Sequence, residues 1–108
     1  MYASNPDIAL ISICGQGSPA EAAYDPDNNR CRPCTHVERA THAYARARPW
    51  RRLHYTFVPC DGTVVTGVGD IGCDGHKNAA GQAEVARFLA PQVAEFMGWG
   101  DVGEMYPP

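Results

Sequence analysis

Apolar residues fall into two short runs separated by a polar loop and a helix-like stretch. This pattern predicts a β-α-β order followed by a second helix. "PDIALISIC", Pro6 to Cys14, is apolar on both faces, opens with Pro-Asp and is closed by Gly15. It predicts a buried strand in the middle of a parallel sheet covered by helices. "GQGSP" then turns the chain. Residues 24–35, "YDPDNNRCRPCT", are turn formers and polar groups without periodicity, and read as loop. His36 to Ala47 is helix-prone, with Thr35 placed to cap it, Glu38 at capping-box spacing and Pro49 to end it. "RRLHYTFV", Arg51 to Val58, alternates and is rich in aromatic and β-branched residues, which predicts a second strand. "TVV", Thr63 to Val65, reads as a short third strand. Residues 67–76, "GVGDIGCDGH", form a glycine-rich loop. Asn78 is placed to cap a final helix, whose Val85, Phe88, Leu89, Val93, Phe96 and Met97 fall near one face. Pro91 marks either a kink or the first turn of a second segment. Gly98 is placed to end the helix.

The length of 108 residues is that of one ordinary domain, residues 1–108. With 44% hydrophobic residues, 19% charged and a net charge of −3, the composition is that of a globular chain and carries no nucleic-acid signal. No apolar run approaches the roughly 18 residues of a membrane span, so no membrane partner is expected. "MYASNPD" lacks the basic start and apolar stretch of a signal peptide. Seven of the nine basic residues lie between Arg30 and Arg52. They read as a solvated helix face, because a phosphate-binding patch needs glycine or aromatic partners around it, and the sequence shows none there.

Five cysteines, Cys14, Cys31, Cys34, Cys60 and Cys73, leave at least one thiol unpaired within the chain. Such use suits an oxidising compartment or a metal site. Several arrangements fit the spacing. Cys60 and Cys73 flank the glycine-rich loop, and a bridge between them would add roughly 3 kcal/mol in the chain-entropy account. Cys31 and Cys34 could pair locally, while Cys14 reads as a buried strand thiol. A competing reading is a small non-catalytic zinc module, because Cys31-x-x-Cys34 and Cys73-x-x-His76 have the spacing of two zinc knuckles. His42 and His54 read as structural or exposed, and Trp50 and Trp99 as packing residues rather than sugar-stacking platforms, the second role being one that a carbohydrate-active parent would suit.

"GCDGHKNAAGQAEVARFLAPQVAEFMGW" follows a strand with a glycine-rich loop carrying Asp and His, then an amphipathic helix. This stretch resembles the last block of the SGNH/GDSL hydrolases, closest to their carbohydrate-esterase and acetyl-esterase branches. Those chains commonly end in a Gly-Cys-Asp-x-His-Pro-Asn type loop, a helix closing on Leu-Ala-Pro, and Met-Gly-Trp. The resemblance covers Leu53 to Trp99. "PDIALISICGQGS" sits where the family has Pro-Asp, a strand and Gly-x-Asn-Asp.

The resemblance implies a partial flavodoxin-like α/β sandwich and a serine esterase acting on acyl or acetyl esters, with a small-molecule or carbohydrate ester as substrate and no cofactor. It assigns the general base to His76, which would take the proton of the attacking serine and return it to the leaving alcohol. The family's orienting Asp lies three residues before the His, where this chain has Cys73. Asp74 and Asp70 are then the carboxylates available. Gly15, Gln16 and Gly17 correspond to the oxyanion segment, with Gly17 in place of the usual Asn. Each oxyanion donor is worth about 3 kcal/mol of barrier.

The family's Gly-Asp-Ser nucleophile block has no counterpart, and the only serines are Ser4, Ser12 and Ser18. The strand and helix that the family has between these two strands are also missing. The expectation is therefore a truncated esterase domain, inactive or nearly so by itself. Family analogues are often secreted.

Overall fold

The computed structural model describes residues 2–15 and 29–100. Within them, strand β1 (Ala9–Gly15) is followed by helix α1 (Cys34–Ala47), strand β2 (Arg52–Val58) and helix α2 (Ala79–Met97). The strands pair in parallel, Ala9 opposite Arg52 and Gly15 opposite Val58. The α/β class is as expected from the periodicity.

Alternation along the strands gives the sheet two different faces. Cys14 and Tyr55 share the face that α1 covers. Cys14 is disulfide-bonded to Cys34, with Cα atoms 5.6 Å apart, and the Tyr55 hydroxyl donates to the Cys34 carbonyl at 3.4 Å. His54 and Thr56 point the other way, to α2. The His54 ring stacks on Phe96 at 5.0 Å, and the Thr56 hydroxyl donates to the Gln92 side-chain oxygen. Arg52 reaches Met97 at 3.7 Å. Along α2 the contacts run backwards along β2, so α2 lies antiparallel to it, with its N-terminus at the carboxyl end of the sheet.

Three expectations about the elements are corrected. Strand β1 is not central: among the described residues the sheet has two strands, so each exposes one edge. Because α2 lies over β2, Ile13 on β1 is left 49% exposed. Helix α1 begins at Cys34 rather than after a Thr35 cap, with Pro33 at the N-cap position and no side-chain cap bond. The disulfide to Cys14 fixes the helix start, and the preset φ of Pro33 suits a helix entry. Residues 63–65 form no strand. Asp61 instead gathers the Thr63 N–H at 3.1 Å and its hydroxyl at 2.6 Å into a turn, which drops Val65 into the core at 2% exposure.

The cysteine pairing also differs from each reading of the spacing. Cys31 bonds Cys60 across a Cα separation of 6.0 Å, Cys14 bonds Cys34, and Cys73 is the free, exposed thiol. Cys14 is therefore not a lone strand thiol, and no bridge pins the loop at Cys73. Both bridges tie the segment entering α1 to the carboxyl end of a strand.

Asn78 caps α2 as expected, its side-chain oxygen accepting from the Gly81 N–H at 3.0 Å. Gly98 closes the helix in the left-handed conformation, φ 71°. Pro91 lies inside a continuous helix although it lacks an N–H. In that turn the Gln92 amide donates to the Phe88 carbonyl at 3.1 Å, so one side chain both supports the turn and joins it to β2.

Candidate functional site

Gly15 ends β1, and the chain from Pro59 to Asn78 crosses the same carboxyl end of the sheet before α2 begins. In open α/β sheets, ligands gather outside the carboxyl ends of the strands. Gly15 has φ 106°, and a Cβ there would collide with the Val58 carbonyl, so only glycine lets the two strands end this close together. Gln16 and Gly17, the rest of the expected oxyanion segment, lie outside the described residues.

The stretch Ile71–Lys77 is a miniature hairpin. Ile71 and Lys77 form an antiparallel bridge, the Gly72 N–H donates to the His76 carbonyl at 2.7 Å, and the His76 N–H donates to the Cys73 carbonyl at 3.1 Å. Asp74 (φ 56°) and Gly75 (φ 73°) are both left-handed. This is the type I′ pattern, for which Asp-Gly is a preferred pair. Asp-Gly is thus explained by the turn itself, and the turn sets His76 at its exit with an exposed ring. Among the described residues neither Asp74 nor any other side chain hydrogen-bonds that ring.

Asp70 has a different occupation. It is 5% exposed, and its carboxylate accepts from the Thr66 N–H at 2.6 Å, the Thr66 hydroxyl at 2.9 Å and the Gly67 N–H at 2.8 Å. Burial pushes its pKa up, but these hydrogen bonds outweigh it and hold the carboxyl below the usual range. Its carbonyl accepts from the Asn78 N–H at 3.1 Å. Asp70 therefore binds the glycine-rich loop to the start of α2. In this conformation it orients the loop that carries His76, not the imidazole itself. Asn78 completes the clamp by donating to the Gly69 carbonyl at 2.9 Å.

The residues of the zinc reading do not converge. Cys31 and Cys34 are each in disulfides with other partners, and no group of three or more metal-ligating side chains occurs among the described residues. No helix among them is long and apolar enough to cross a membrane.

No protein-family model, curated protein or solved structure matches the chain.

At the amino end of the sheet the structure reveals a cluster that the spacing did not show. Trp50 and Trp99, read as packing residues, are 72% and 63% exposed. Tyr2 reaches across to donate its hydroxyl to the Arg52 carbonyl at 3.0 Å. Its ring stacks on Tyr44 of α1, with centroids 6.3 Å apart. The one available sequence signal was an aromatic residue beside the first Met, too far from the arginines in sequence to be linked to them.

Proposed function

We propose that this chain carries the histidine-bearing half of an SGNH/GDSL-type serine esterase acting on acyl or acetyl esters, with carbohydrate esters as the substrate class. The observation that supports this reading most is topological. Gly15 and the His76 hairpin, the two segments carrying the family resemblance, both belong to the carboxyl end of a parallel sheet flanked by helices.

In this reading His76 is the general base. Its residue is exposed at the exit of a hydrogen-bonded turn, open to a substrate. Asp70 holds the loop in position, and Gly15 begins the oxyanion segment. The attacking hydroxyl comes from a Gly-Asp-Ser segment that these 108 residues do not contain. Loss of the nucleophile from such a site costs about six orders of magnitude in rate, so this chain alone hydrolyses esters at background rate.

A fluorophosphonate serine probe with intact-mass readout tests this. No adduct, together with restored hydrolysis when a nucleophile-bearing segment is supplied, supports the reading. A stoichiometric adduct on the isolated chain would instead make Ser4, Ser12 or Ser18 the nucleophile. Restored hydrolysis that survives His76→Ala would remove His76 as the base.

A further inference from the structure

Helix α1 ends in a tight turn, Arg48-Pro49-Trp50-Arg51, closed by the Arg51 N–H donating to the Arg48 carbonyl at 3.0 Å. Proline stands second in that turn, its favoured place, and Trp50 stands at the tip. The two arginines at its base are held by aromatic rings. The Arg48 guanidinium lies 4.2 Å from the centroid of Tyr44, and that of Arg51 lies 4.5 Å from the centroid of Tyr2. The Arg51 guanidinium also donates to the Tyr44 hydroxyl at 2.7 Å. Arg52 follows at the first position of β2.

None of these three arginines has a carboxylate within ion-pair distance among the described residues. The segment from Arg30 to Arg52 holds seven of the nine basic residues but only one of the twelve acidic ones, Glu38. Among the described residues the guanidinium groups at this end are thus without an acidic partner. Each of the three lies over an aromatic ring, Arg52 over Phe96 at 5.9 Å being the most distant, so less side-chain freedom is lost when their N–H edges bind an anion. Guanidinium groups match carboxylates and sulfates with paired hydrogen bonds. The exposed indole between them offers an apolar face to a flat ring.

We propose that this end of the fold, Arg48, Trp50, Arg51 and Arg52, is a docking surface for an acidic polysaccharide, a chain of uronate-type sugar rings. The carboxylates meet the guanidinium groups and a pyranose ring lies against Trp50. Two disulfides suit an oxidising compartment, and a chain of uronate rings offers both the paired carboxylate oxygens that the guanidinium groups match and the flat ring face that the indole takes. The surface lies at the amino end of the strands, opposite the His76 hairpin, and the inference stands independently of the esterase reading.

Calorimetric titration of the intact chain with sodium polygalacturonate, at low and at moderate salt, tests the proposal. Binding should weaken with salt. It should fall about fivefold in Arg52→Gln and in Trp50→Ala, with Arg52→Lys retaining part of it. Trp50 is exposed, so its variant keeps the fold, and far-UV circular dichroism confirms this for each protein. The proposal is overturned if the wild type does not bind polygalacturonate, if neither variant weakens binding, if neutral dextran binds as well, or if single-stranded oligothymidylate binds more tightly at the same salt.

Discussion

Gly81 packs directly against the carbonyl of Asp70: a Cβ at position 81 would lie inside the contact distance of that oxygen and against the Lys77 side chain. The first turn of α2 and the glycine-rich loop are thus in backbone contact, and Asn78 bonds both sides of the junction.

On an ordinary helix surface Gly→Ala stabilises by up to about 1 kcal/mol. Here Gly81→Ala should destabilise by about 1–3 kcal/mol, the usual range for forcing atoms into a packed site. Thermal unfolding followed by circular dichroism decides the sign. A raised midpoint would mean that the loop does not rest on the helix. Asn78→Ala, which removes the cap, should cost about 1 kcal/mol.

The Asp70 carboxylate makes stability depend on acid. Its folded pKa lies below the unfolded value of about 3.9, so the unfolded chain takes up the proton first as pH falls. The contribution of Asp70 is fully present above the unfolded pKa and is lost as pH drops through the folded one. Urea midpoints measured from pH 7 to pH 3 should fall at the acid end. Asp70→Asn should be less stable at pH 7 and show a shallower acid slope. An unchanged slope would show that other carboxylates cause it.

The cysteine pairing has a chemical readout. Alkylation of the native, unreduced chain should modify Cys73 alone, and peptide mapping should recover Cys14 with Cys34 and Cys31 with Cys60. The bridges span 20 and 29 residues, so replacing either pair with serine should cost about 3 kcal/mol. For a fold with this few fully buried side chains, that is a large fraction of its stability. Two or more alkylated cysteines in the native protein would refute the pairing.

The sequence is legible where chemistry is local. Asn78 and Gly98 bound α2 because a cap needs only its own neighbours. The alternating run ending at Val58 is a strand because its two faces meet two helices. Readings failed where distant residues decide. The start of α1 is set by Cys14, twenty residues away, and Thr35 loses the capping place to Pro33. Asp70 is a separate case: it stands close to His76 in sequence, and its carboxylate is engaged by the neighbouring Thr66 and Gly67. The aromatic partners of Arg51 were missed because Tyr2 lies at the other end of the β1–α1–β2 unit.

The stacking of Tyr2 on Tyr44 ties the first described residue to the foot of the sheet. Tyr2 is anchored beside Arg52, at the foot of the sheet, whereas the His76 hairpin crowns its top. Seven strand residues separate the two levels, a climb of about 23 Å at ~3.3 Å per residue. The two ends of the sheet therefore serve different surfaces: the foot carries the arginines and their aromatic partners, the crown the hairpin, and the two cannot touch the same small molecule.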